Sequence, residues 1–513
     1  MLLKGLMLAI FFAVMVAIGL YCRRHARDVK SFVLGGRSVG PWLTAFAYGT
    51  SYFSAVIFVG YAGQFGWKYG IASTWIGIGN ALIGSMLAWI VLGRRTRIMS
   101  QYLDSATMPE FFGQRFQSRT LKIGASLIIF VFLIPYTASL YNGLSRLFSM
   151  AFSIDYTVCI VLMAVFTGIY VIAGGYMATA INDFIQGIIM LVGIVAVIAA
   201  VLCSQGGFIE ALHRLSLVSD STVSSSPGVF ASFFGPDPLS LLGVVILTSL
   251  GTWGLPQMVQ KFYAIRSETA IQTGMIISTL FALIVAGGCY FLGGFGRLFS
   301  SSLDVASSGY DAIIPAMLSG LPDLLIGLVV ILVLSASMST LSSLVIASSS
   351  TLTIDVIKDN ILHEMDEKKQ LLMIRCLIVV FIAISAIIAI IQYKGNLAFI
   401  AQLMGISWGA LAGSFLAPFL YALYWRKTTK AACWACFIFS SGVMIANILC
   451  PQIFPTLLQS PINAGAFVML AGFIIVPVVS IITPKPAPGL VKHAFACYEK
   501  KVEAAQKLTL GGK

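Results

Sequence analysis

Residues 335–343 read SASMSTLSS, and an apolar run, LLIGLVVILV, leads straight into them. Ser335, Ser337, Ser339, Thr340, Ser342 and Ser343 thus form a ladder of hydroxyls inside a membrane-like segment. On a helix, Ala336, Ser339, Thr340 and Ser343 follow i, i+3, i+4, i+7 and share one face. A hydroxyl oxygen is a neutral, hard ligand. Several of them, joined by backbone carbonyls, suit a small hard cation such as Na⁺. The same residues would equally let membrane helices pack closely. Asp183, in ATAINDFIQGIIMLVG, is the clearest acidic residue within an apolar segment. A carboxylate at such a depth calls for a cationic partner, and a residue at the lipid interface is the competing reading.

The elements that position these groups follow from composition. The chain has 513 residues, 58% hydrophobic and 10% charged, where a soluble protein has about 25% charged. Apolar runs of membrane-spanning length recur throughout, so the expected fold class is an all-α polytopic membrane protein with about 13 transmembrane helices. The segments are 3–21, 42–66, 71–92, 121–149, 157–173, 180–202, 239–259, 273–294, 326–353, 374–392, 397–421, 431–450 and 464–482. No small-residue cleavage site precedes RRHAR at 23–27, so the first segment reads as a retained helix. No soluble catalytic domain is evident, and the tail at 483–513 is too short to fold alone. Cys433 and Cys436 form a CxxC, but it lies within an expected membrane helix and no second Cys/His pair stands nearby, so it reads as packing.

The net charge of +13 is topology rather than a nucleic-acid footprint. Arg23, Arg24, Arg27, Arg94, Arg95, Lys261, Arg266, Lys358, Arg426 and the tail lysines fall on one side, while Lys68, Arg214, Arg297 and Lys394 fall on the other. The positive-inside rule makes the first side cytoplasmic. With an odd number of spans, the N-terminus is expected outside and the C-terminus inside, at the plasma membrane.

Two segments read as interrupted helices: AFAYGTSYFS at 45–54 and SLGTWGLPQ at 249–257. Backbone groups freed at that depth must line a cavity. The interruptions recur at an offset of about 204 residues, which also carries the segment at 121–149 onto the ladder. Two five-helix units, 42–202 and 239–421, therefore align as an inverted repeat with a discontinuous first helix in each. The remainder divides into an extra helix with its basic loop (1–30), two further helices (431–482) and the tail (483–513).

The stretches SFVLGGRSVGPWLTAFAYGTSYFSA (31–55), GIYVIAGGYMATAINDFIQ (168–186), PQMVQKFYAIRS (256–267) and SMSTLSSLVIASSSTLTIDVI (337–357) resemble the sodium/solute symporter family. That resemblance implies a LeuT-type 5+5 inverted repeat and Na⁺ as coupling ion, one or two per cycle. It implies a first Na⁺ site from the carbonyls of Thr50, Phe53 and Ala336 and the hydroxyls of Ser339 and Thr340. A possible second site falls on Asp183, Ser342 and Ser343, with Ser339 shared.

The resemblance also implies a solute pocket between the broken helices, on Ser51, Tyr52, Ser54, Tyr136, Thr252, Trp253, Gln257, Gln402 and Trp408. The segments at 71–89 and 274–294 hold no charge, unlike those of sugar-carrying relatives, and no Arg stands in LIIFVFLIPYTASLYNGL to clamp a sialic-acid carboxylate. Tyr52 stands where proline carriers have an acidic residue, which argues against proline itself, whereas Tyr136 matches them. A small amino acid or organic acid is the expected solute. The expected function is Na⁺-coupled symport by alternating access; a transporter-like sensor acting through a partner protein is the alternative. HExxH and paired membrane carboxylates are absent from the sequence, so no enzymatic role is expected.

Overall fold

The computed structural model describes residues 2–23, 28–221, 223–224, 226–302, 305–358, 365–395 and 400–498. Residues 24–27 of the first basic loop, with Arg24 and Arg27, and 499–513 of the tail lie outside these. The described chain is nearly all helix. Among the described residues, ten helices are long and apolar enough to cross a membrane, or eleven if one bent pair counts as a single span.

The thirteen expected segments do not all stand as separate helices of that length. The helix Pro41–Tyr52 stops after 12 residues. Residues 56–102 then continue as one apolar helical stretch. Tyr156–Ser204 is continuous but kinked at Gly175, whose φ of 57° suits a residue without Cβ.

The breaks are the features that build the site. After Tyr52 the chain leaves the helix at Phe53 (φ −85°, ψ 128°), and helix resumes past Ser54. The second broken helix runs Pro238–Gly254, turns at Leu255 (φ −79°, ψ 125°) and resumes as Pro256–Ala264, bent by 46°. Pro256 enforces this second break, because its ring disfavours helical backbone in the residue before it.

The ladder helix, Asp323–Thr351, is central: every residue from Leu332 to Thr351 is buried. It packs against Pro41–Tyr52, Arg119–Phe152 and Tyr156–Ser204. Burial of so many hydroxyls requires partners, and Ser342, Ser348 and Ser350 find them on carbonyls one turn back in their own helix. Elsewhere glycine permits backbone contact. A Cβ on Gly66 would lie 2.0 Å from the Gly293 carbonyl oxygen.

Charged side chains tie the helix ends together. At one end Lys4 pairs with Asp323 at 2.9 Å and donates to the Ala151 carbonyl. At the other, Lys122 lies 3.2 Å from Asp355, which also accepts from Thr107 Oγ1 at 2.6 Å. The described part of the tail is helical over 488–498. It stacks Phe495 on the Arg115 guanidinium and Tyr498 on that of Arg95. Cys433 and Cys436 are buried, and the Cys436 thiol donates to the Gly413 carbonyl.

Candidate sodium site and central cavity

Where the first broken helix faces the ladder, oxygens converge. Thr340 Oγ1 lies 3.3 Å from the Thr50 carbonyl oxygen, 3.3 Å from that of Phe53 and 3.1 Å from that of Ala336. Ser339 Oγ donates to Thr50 Oγ1 at 2.8 Å. A hydroxyl has one proton and cannot satisfy three carbonyls at once. The break supplies carbonyls from Thr50 and Phe53 because no following helical turn donates to them. This is an oxygen-only, uncharged donor set, and its chemistry fits Na⁺. Na⁺ would be held by Thr50, Phe53, Ala336, Ser339 and Thr340. The break's own donor is met from the ladder too: Ala55 N–H donates to Ser337 Oγ at 3.1 Å.

Next to this set lies a second polar group. Ser343 Oγ is 2.9 Å from Ser51 Oγ and accepts from Lys261 Nζ at 3.0 Å. Lys261 Nζ is in turn 3.9 Å from Asp183 Oδ2. Lys261 is 1% exposed and Asp183 fully buried. Lys261 is therefore not the loop charge that the basic pattern suggested. Ser342 turns away, donating to the Ser339 carbonyl.

On the other side of the break, aromatic rings gather. Trp408 stands between Tyr52 (ring centroids 5.8 Å apart) and Tyr136 (5.9 Å, edge to face). The Tyr136 hydroxyl faces Ser54 and the Trp408 indole without a well-formed hydrogen bond to either. Both amide atoms of buried Gln257, just past the second break, also lack a partner. Gln402 is half-buried and lies outside this buried group.

Two expected pocket residues are engaged with the protein itself. Trp253 Nε1 donates to the Ile83 carbonyl at 3.0 Å, and Thr252 Oγ1 lies 2.9 Å from that of Gly84, which also accepts from Tyr48. Both carbonyls belong to residues 80–87, which are π-helical. Tyr48, Tyr52, Asn80, Ser85, Thr252 and Ser278 surround a cavity of about 10 Å³, room for roughly one water. The centre is thus closed around its polar groups. Asn80 and Ser278 escaped the sequence reading because single polar residues in apolar runs carry no periodic signal. A far larger cavity, about 1210 Å³, is lined by Asp220, Asp237 and Arg297 among others.

A family model described as "Sodium:solute symporter family" matches residues 32–439. The chain belongs to the sodium:solute symporter family. Sodium/proline symporters of Staphylococcus aureus, from strains JH9 and NCTC 8325 among others, are 30% identical to this symporter over 492 residues, covering 94% of it and 92% of the relative. Among solved structures, a Na⁺-coupled sialic acid symporter in a substrate-bound, outward-open state superposes with a TM-score of 0.75 at 16% identity, covering 94% of this chain and 98% of that one. The fold is therefore the LeuT-type inverted repeat with discontinuous first helices, and Na⁺ is the coupling ion.

Proposed function

We propose that this symporter couples inward Na⁺ movement to uptake of a small amino acid, with proline the first solute to test. The observation that carries the Na⁺ reading is the Thr340 hydroxyl set among three carbonyls, two of them at a helix break. Thr50, Phe53, Ala336, Ser339 and Thr340 then bind the ion that couples closure of the break to the ladder. The solute reading rests on the uncharged group of Tyr52, Ser54, Tyr136 and Trp408 beside that break, and on the name of the 30%-identical relatives. An apolar ring stacks on aromatics, while a carboxylate accepts from Gln257 and from break amides. A zwitterion suits such a pocket better than a net charge does.

The two five-helix units, 42–202 and 239–421, supply alternating access, with the helices at 431–482 as flanking support. The lipid bilayer and the solute are the partners of this reading, and no nucleic acid or enzymatic chemistry enters it. The basic side, with Arg94, Arg95, Arg426 and the tail, faces the cytoplasm of a plasma membrane, which puts the N-terminus outside. Labelling of single cysteines introduced near residues 2 and 484 in intact cells checks that orientation. Function is tested in proteoliposomes with an inward Na⁺ gradient or with K⁺ in its place, against proline, other small amino acids and monocarboxylates. Uptake of proline that ignores the Na⁺ gradient, or Na⁺-driven uptake of the monocarboxylates alone, would refute the assignment.

A further inference from the structure

Asp183, Ser343 and Ser51 surround a cation that the chain itself supplies. Lys261 sits in the last turn of Pro256–Ala264, the second half of the second broken helix. A lysine near a helix end can extend its stem and leave the ammonium in water. This one does the reverse: it is 1% exposed, and its Nζ points inward. The ammonium donates to Ser343 Oγ at 3.0 Å, stands 3.9 Å from Asp183 Oδ2 and lies 5.0 Å from the centre of the Tyr176 ring. The hydroxyl accepts a hydrogen bond, while the carboxylate and the ring face stabilise the charge from farther away.

We propose that the Lys261 ammonium is a tethered cation that takes the place of a second Na⁺, so that this symporter binds a single Na⁺. The inference rests on the Na⁺ reading given above. Asp183 carries one negative charge, and Lys261 balances it. A Na⁺ added at Asp183 and Ser343 would leave net positive charge in a buried site, beside an ammonium already hydrogen-bonded to one of its ligands. Of the hydroxyls such an ion would use, Ser343 already accepts from the ammonium, while Ser342 donates to the Ser339 carbonyl and Ser339 to Thr50 Oγ1.

The position also gives the lysine a task. Ser343 meets Ser51 at 2.9 Å, and Ser51 adjoins Thr50, whose carbonyl belongs to the Na⁺ site. The ammonium therefore ties the second broken helix to the ladder through the hydroxyls next to the bound ion. An exchangeable ion at this point would form and lose that tie in every cycle, whereas a tethered one keeps it with a single Na⁺.

The test counts ions on the purified, full-length chain by equilibrium binding of radioactive ²²Na⁺, which needs no knowledge of the solute. The wild type is expected to bind one Na⁺ per chain. Lys261→Met keeps the stem's length and removes the charge, so it is expected to bind two, and adding Asp183→Asn should return the count to one. Two ions in the wild type would overturn the proposal while leaving the Na⁺ reading intact. One ion in a folded Lys261→Met protein would overturn it as well, and no Na⁺ at all in the wild type would remove both. If Lys261→Met is not monodisperse, Lys261→Gln takes its place, and the wild-type count of two remains decisive against the proposal.

Discussion

Phe53 and Leu255 share one backbone conformation, φ −85°, ψ 128° and φ −79°, ψ 125°, at the breaks of the two discontinuous helices. Each residue ends one half-helix and precedes the next, so each break frees carbonyls behind it and amides ahead of it. The carbonyls of the first break meet the ladder; the second break sets Gln257 at the start of the helix that carries Lys261.

The Na⁺ assignment predicts the behaviour of a Ser339→Ala, Thr340→Ala double variant. Two ligand oxygens go while an apolar helix stays. Loss of oxygen–cation contacts worth ~1.5–3 kcal/mol each should raise the Na⁺ concentration for half-maximal uptake by at least about tenfold. Surface expression should hold. Wild-type Na⁺ dependence in this variant would mean that the ion binds elsewhere.

Tyr136→Phe probes the solute pocket. Its hydroxyl has no hydrogen-bond partner and its ring meets Trp408 edge to face. Removing the hydroxyl leaves packing unchanged and costs a solute hydrogen bond, ~1 kcal/mol or about fivefold in KM. The count of bound Na⁺ should not move. An unchanged KM for every transported solute would place the phenol outside the pocket.

The Lys122–Asp355 pair predicts a stability effect. Both side chains are buried, and Asp355 also accepts from Thr107. Lys122→Met strands a buried carboxylate, a loss of about 3–5 kcal/mol, whereas removing both charges is often near neutral. Melting temperatures in detergent should therefore fall for Lys122→Met and recover in Lys122→Met, Asp355→Asn. A double variant no more stable than the single one would contradict the pairing.

Backbone contact at Gly66 predicts intolerance of a single methyl. Its Cβ would lie 2.0 Å from the Gly293 carbonyl oxygen, with no flexible side chain to yield. Gly66→Ala should abolish a monodisperse peak in size-exclusion chromatography. Gly442→Ala, where nothing lies within 4 Å, should elute and melt like the wild type, or slightly above it.

Much of this molecule is legible in its residues. Apolar runs of spanning length dictate helices in lipid, because every backbone group must be satisfied within its own segment. The second break is written locally, since Pro256 forces Leu255 out of helical backbone. The hydroxyl ladder is legible because its spacing matches the helical repeat, and the family resemblance named the oxygens that converge at the first break. Tertiary structure decided the rest. No proline marks the first break; Phe53 stays extended where the ladder's Thr340 and Ser337 meet the freed carbonyls and amide. That Trp253 and Thr252 would meet carbonyls of the π-helical residues 80–87 could not be read from their own segment. Lys261 illustrates the limit best. In the sequence it is one more basic residue near a helix end, alike in pattern to Arg266. Whether such a side chain reaches water or turns inward depends on what waits inside, and Asp183 and Ser343 come from helices far away in the chain. Periodicity sets which face a residue occupies, but the electrostatics of a buried group are set by neighbours that only folding brings together.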